Sequence, residues 1–190
     1  PHLCTGKNKV LGLSQIPALA LPSGEVLHIN FDNETMTQFL DISGNNNHGK
    51  KINNVLSVSG GVGGRKAGNF NGINQSVNLG KAITLNLNKS FSISVWVKVP
   101  SSGGGYIVNR FSNSCAEKKA VYSLDVYNGG GIYNGKARLV IGNGHGSFVV
   151  ASNQIINDNI WHHIVGQLEG NIMTIFVDGI VQNTSTFNGT

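Results

Sequence analysis

The stretch Phe91-Ser92-Ile93-Ser94-Val95-Trp96-Val97-Lys98-Val99-Pro100 alternates without a break. Phe91, Ile93, Val95, Val97 and Val99 point one way, and Ser92, Ser94, Trp96 and Lys98 the other. A period of two held over that length is a strand with one face in a core. Upstream, residues 26–31 repeat the pattern, with Leu27, Ile29 and Phe31 opposed to Val26, His28 and Asn30, and read as another strand. Downstream, residues 122–127 set Tyr122, Leu124 and Val126 against Ser123, Asp125 and Tyr127. Residues 137–141 and 147–151 are short, nearly continuous apolar runs with Asn143-Gly144 in turn position between them. Residues 160–167 and 171–177 form the last strong pair. There Trp161, His163 and Val165 share a face, and the Trp161 indole is expected to fill the core. Asp178-Gly179 then suits a tight hairpin into Ile180-Val181-Gln182. No segment longer than about ten residues has a 3.6-residue apolar period. At least eight evenly spaced strands predict an all-β chain, an antiparallel β-sandwich or jelly roll.

Composition agrees. The chain has 190 residues, of which 12% are charged and 39% hydrophobic, with 26 Gly and about one residue in eight Asn. Coiled coils and helical bundles need far more Glu, Lys, Ala and Leu. Recurrent Val/Ile/Phe runs and a net charge of only +5 argue against disorder. No stretch approaches the roughly 18 apolar residues of a membrane helix, so no membrane insertion of this segment is expected. The 14 basic residues include the pairs Lys50-Lys51, Arg65-Lys66 and Lys118-Lys119 but form no sustained run, so nucleic acid is not an expected partner. A pI near 9.3 suits acidic glycans or an anionic surface. Residues 1–23, where Pro1, Pro17 and Pro22 bracket an aperiodic apolar stretch, read as an arm or linker, and residues 24–190 as the domain. The two cysteines, Cys4 and Cys115, suit either one disulfide in an oxidising compartment or two buried thiols. Sequons begin at Asn33, Asn74, Asn88, Asn183 and Asn188. About three would arise by chance in so Asn-rich a chain, so they carry little weight.

Six strings, taken in order, resemble the laminin-G-like, concanavalin-A-like jelly-roll superfamily of lectins and glucanases. They are Leu27-His28-Ile29-Asn30-Phe31-Asp32-Asn33, Asp41-Ile42-Ser43-Gly44 with the Asn-rich run after it, Gly68-Asn69-Phe70-Asn71-Gly72, the alternating strand quoted above, Trp161-His162-His163-Ile164-Val165 and Ile175-Phe176-Val177-Asp178-Gly179. The alternating strand also looks like its counterpart in the lectin-like subdomain of clostridial neurotoxin receptor-binding regions. The resemblance implies a calcium ion, structural or ligand-bridging, with Asp32 and Asp41 as the positions to hold it. On the residues alone, Asp32 can equally end a strand and Asp41 cap a turn. The family also implies further strands after the Asp-Gly hairpin. The last strands of the sandwich are therefore expected from residues beyond this segment or from a neighbouring chain, by strand exchange or assembly.

Catalysis is not expected. Glucanases of this fold resemble one another in a Glu-x-Asp-x-x-Glu strand, because retaining hydrolysis needs two carboxyl groups about 5 Å apart. The four Glu here (Glu25, Glu34, Glu117, Glu169) share no strand with another acid at that spacing, and Asp125 stands alone on its strand. His162 and His163 are read as packing residues rather than metal or catalytic ones, and Asp178 as a turn residue. The expectation is an extracellular or cell-surface, non-catalytic binding or adhesion module for a glycan or a surface protein. Trp96, Asp125, Tyr127 and Tyr133 are its candidate ligand-binding residues, with Tyr106 a further aromatic able to stack on a sugar. The alternative is a structural subunit or decoration domain of an extracellular filament, pilus or virion.

Overall fold

The computed structural model describes residues 24–80, 85, 90–110, 121–143 and 146–189. The proposed arm (1–23), both cysteines, Glu117 and the Asn88 sequon lie outside the described residues.

Thirteen strands are described, and all paired neighbours run antiparallel. The N-terminal part contains β1 (Gln38–Phe39), β2 (Gly49–Ile52) and β5 (Ser76–Asn78) in one small sheet, and β3 (Leu56–Ser59) with β4 (Lys66–Asn69) in a ribbon. The larger part is two four-stranded sheets. One has the order β13 (Ile180–Thr186), β12 (Ile172–Val177), β11 (Trp161–Glu169), β6 (Phe91–Lys98). The other has the order β10 (Ser147–Ile155), β9 (Lys136–Gly142), β8 (Val121–Val126), β7 (Gly105–Arg110). Their inner faces meet in a core of Leu124, Val126, Ala137, Leu139, Ile141, Val150, Ile164, Leu168, Met173, Ile175 and Val177. This is the all-β antiparallel sandwich read from the sequence.

The quoted strand is β6, and its Phe91, Ile93, Val95 and Val97 pack against this core as the alternation requires. They remain only half-buried, because among the described residues β6 is an edge strand with β11 as its hydrogen-bonded neighbour. The Asp178-Gly179 hairpin also forms, with both central residues at positive φ (51° and 79°), and Val177 is paired to Ile180. Such a turn matches the twist of the strands it joins.

Gly166 shows how closely the sheets approach. It lies mid-strand in β11, and an added Cβ would sit 3.0 Å from Leu124 Cδ1 and 3.2 Å from Leu139 Cδ1. Gly166→Val should therefore overpack the inter-sheet space and cost about 1–3 kcal/mol, read as a lower urea midpoint with an unchanged m-value.

Two expectations change. Residues 26–31 form no strand, and Phe31 sits at φ 59°. Their backbone groups are taken by the loop that follows. Asp41 Oδ1 accepts from His28 N (2.8 Å), Asn47 Nδ2 donates to Val26 O (2.7 Å), and Asn45 Nδ2 donates to Glu25 O (2.9 Å). Side chains replace a ladder partner there. The second change is at β11, where the buried residues are His162, Ile164, Gly166 and Leu168. Trp161 is on the outward face, its indole N–H donating to Gly60 O at 3.2 Å, and does not fill the core.

Candidate functional site

The β8–β9 register places Asp125 opposite Arg138, and the β7–β8 register places Tyr106 opposite Asp125. Because Leu124, Val126, Ala137 and Leu139 face the core, these three residues project from the other side of the sheet. Arg138 grips Asp125 with two parallel bonds, Nε to Oδ1 at 2.9 Å and Nη2 to Oδ2 at 3.0 Å. The pair is largely withdrawn from water, with side-chain exposures of 4% for Asp125 and 16% for Arg138. A planar guanidinium held bidentately has little rotational freedom left.

The β8–β9 connection brings aromatics to that guanidinium. Tyr127 continues the ladder past β8, donating from N to Lys136 O at 3.0 Å. The chain then reverses through Gly130 and Gly131, at φ 77° and 72°, into a 3-10 turn that ends at Tyr133. Side chains rarely adopt that backbone, and the glycine run lets Tyr133 fold back beside Tyr127. The Arg138 guanidinium lies 3.9 Å from the Tyr127 ring centroid and 5.7 Å from that of Tyr133, and the two rings meet edge to face at 6.4 Å and 89°. Tyr106 (59% exposed) and Ile132 (77%) stand open to solvent nearby in the chain and register.

Three of the four residues proposed from sequence, Asp125, Tyr127 and Tyr133, are thus brought together. Arg138, which joins them, was missed. Its signal was the cation set inside the apolar run of residues 137–141, and a charge in such a run needs a partner. The structure does not bring in Trp96, which lies on the outward face of β6 in the other sheet. It is 48% exposed and stacks on His163 at 5.1 Å and 31°, and His163 Nε2 is hydrogen-bonded to Ser94 Oγ at 2.8 Å.

The two aspartates proposed for calcium are occupied by donors. Asp41 is buried and accepts four hydrogen bonds, from His28 N and Ser43 N on Oδ1 and from Ser43 Oγ and Asn47 N on Oδ2. Burial raises its pKa, and these donors outweigh that and hold it below the usual value. Asp32 accepts from Lys66 N and from Arg65 Nη1, both at 2.9 Å, which also lowers its pKa. A hard cation needs oxygens turned toward it, whereas these carboxylates face N–H groups and a guanidinium. Among the described residues, no group of three or more His, Cys, Asp and Glu is arranged to hold a metal ion. The donor sets at Asp32 and Asp41 do not fit calcium.

His162 has a structural arrangement of its own. It is 2% exposed, with Nδ1 2.7 Å from Asp178 Oδ2 and Nε2 3.2 Å from both oxygens of Asp158. Asp178 also accepts from His163 N at 2.8 Å. One imidazole thereby ties β11 to the β12–β13 hairpin and to the loop entering β11.

A family model, the concanavalin A-like lectin/glucanases superfamily in its laminin-G form, matches residues 71–190. No curated protein matches the chain by sequence. Among solved structures, the binding domain of Paraclostridial Mosquitocidal Protein 1 is similar with a TM-score of 0.62 at 19% identity, covering 83% of this chain and 41% of that one. An S-layer domain-containing protein of Clostridium thermocellum gives 0.54 at 19%, covering 86% and 73%. Botulinum neurotoxin type C gives 0.50 at 16%, covering 87% and 40%. The chain thus spans about two fifths of the mosquitocidal-protein and neurotoxin structures it resembles, and at these identities the likeness concerns the fold. With the family model covering well over half its length, the chain belongs to the laminin-G-like family of the concanavalin A-like lectin/glucanases superfamily.

Proposed function

We propose that this domain is a non-catalytic binding module that recognises a glycan outside the cell or at its surface, through the outward face of the β7–β10 sheet. The observation that carries the reading is the Tyr127–Arg138–Tyr133 group held from beneath by Asp125. Sugars are bound by aromatic faces and a few fixed polar groups, and a surface already rigid before binding loses little entropy on association. A bidentate pair whose guanidinium packs on Tyr127, itself met edge to face by Tyr133, is rigid in that sense. Asp125 has both oxygens engaged by Arg138, which argues against a role as acid, base or nucleophile. Two of the similar structures support the reading at the level of protein class. One is itself described as a binding domain, and cell entry of the botulinum toxin is described as depending on two ganglioside molecules. The S-layer likeness supports the second reading, a structural subunit of a surface array.

A glycan array followed by titration calorimetry tests the proposal. The native domain is expected to bind a defined set of oligosaccharides as a discrete species. Tyr133→Ala should weaken that binding about tenfold or more, roughly 1.4 kcal/mol, with the circular dichroism unchanged. Unaltered affinity in the variant would reject this face. Absence of any glycan ligand, with concentration-dependent assembly in light scattering, would favour the array subunit instead.

A further inference from the structure

We propose that the glycan taken by this face carries an anionic group, a carboxylate or a sulfate, and that Lys136 is its counter-ion. The inference rests on the reading that the face binds a glycan, and adds the charge class of the ligand.

The alternation of β9 puts Ala137, Leu139 and Ile141 in the core, so Lys136 and Arg138 share the outward face. Two residues apart on one strand, they start about 7 Å apart. Lys136 also neighbours Tyr127 across the ladder, since its carbonyl accepts the Tyr127 N–H. Among the described residues, the charged groups on this part of the outward face are two cations, Lys136 and Arg138, and one anion, Asp125. Both oxygens of Asp125 are spent on Arg138, which leaves no carboxylate for Lys136. Among the described residues its ammonium makes no ion pair and no hydrogen bond, although the residue is half-buried. Lys51, in a comparably sheltered place, is paired to Glu34.

The guanidinium is left incomplete in the same way. The grip on Asp125 uses Nε and Nη2, so the two N–H bonds of Nη1 have no partner among the described residues. An ammonium and the free end of a fixed guanidinium on one sheet face, the guanidinium packed against Tyr127, attract an anion more strongly than the same groups would in open solvent. A sugar carrying a carboxylate or sulfate presents that anion together with a ring that can lie against Tyr133. A neutral sugar would satisfy the tyrosines and leave Lys136 unpaired.

The test uses matched oligosaccharides that differ only in the anionic group: sialylated, uronic-acid-bearing, sulfated and neutral forms, titrated into the native domain, Lys136→Met, Lys136→Arg and Tyr133→Ala. At least one acidic form should bind about tenfold or more tightly than its neutral counterpart. That preference should shrink as salt rises, vanish in Lys136→Met and return in Lys136→Arg. The carboxylate and sulfate arms identify which anion is used. If neutral and acidic forms bind equally, in a manner still abolished by Tyr133→Ala, the charge assignment is wrong and the binding face stands. If Tyr133→Ala has no effect on any glycan, both fail. An acidic preference that survives Lys136→Met would also overturn the role of Lys136.

Discussion

Asp125→Ala is expected to lower stability by about 3 kcal/mol and to abolish glycan binding in the same step. Removing one partner of a withdrawn ion pair costs roughly 3–5 kcal/mol, because the remaining charge has lost its water and gained nothing in exchange. Arg138 keeps some contact with solvent, which places the effect at the low end of that range. The binding loss has the same origin, since a guanidinium released from its fork no longer holds one position over Tyr127. Asp125→Asn keeps an acceptor for one of the two bonds and should cost less, about 1–2 kcal/mol. Urea unfolding of the three proteins measures both values. An alanine variant within about 0.5 kcal/mol of the native protein would mean the pair is not the support described here.

The second large effect concerns His162. Burial on its own would lower its pKa, but hydrogen bonds to Asp178 and then Asp158, together with their charges, outweigh burial and raise it above 6.5. The protonated form is therefore preferred in the folded protein. Its contribution is complete below the unfolded-state value near 6.5 and is lost as pH rises through the folded value. The pKa values of Asp178 and Asp158 shift the other way. Burial raises them, but the His163 and Ile160 backbone N–H groups, respectively, and His162 more than compensate, so both lie below 3.8. Their contribution is present above that value and is lost only as pH falls through the folded values. Stability should accordingly peak in mildly acidic solution and decline through neutrality. His162→Leu should cost roughly 2–3 kcal/mol at about pH 5.5, through lost charge-assisted bonds, and the cost should shrink toward about pH 8. A native profile that is flat across that interval, or one that rises, would contradict the clamp.

Much of the fold was legible because a period of two is a direct record of a half-buried strand. β6 and the Asp178-Gly179 hairpin follow from that period and from the backbone preferences of Asp and Gly. The failures share one cause, hydrogen-bond partners outside the segment being read. Residues 26–31 alternate as a strand does, but Asp41 and Asn47 take up hydrogen bonds of His28 and Val26 instead. In β11 the alternation distinguishes two faces without saying which is inner. Trp161 was the natural choice by hydrophobicity, and His162 is buried because Asp158 and Asp178 satisfy it. The site was half legible for the same reason. Tyr127 and Tyr133 flank a glycine run and are visible as a pair, whereas Arg138 acquires meaning only once the register sets it against Asp125. Nothing in the sequence separates Trp96 from the tyrosines, and only the assignment of β6 and β8 to different sheets does so.

Where the sugar sits distinguishes the two sheet faces most directly. A titration of the isotope-labelled domain with its best glycan, followed through backbone amide shifts, locates it without altering a residue. The largest shifts are expected at Tyr106, Tyr127, Tyr133, Lys136 and Arg138. Shifts centred instead on Trp96 and His163, with the β8–β9 residues silent, would place binding on the opposite sheet and contradict the account.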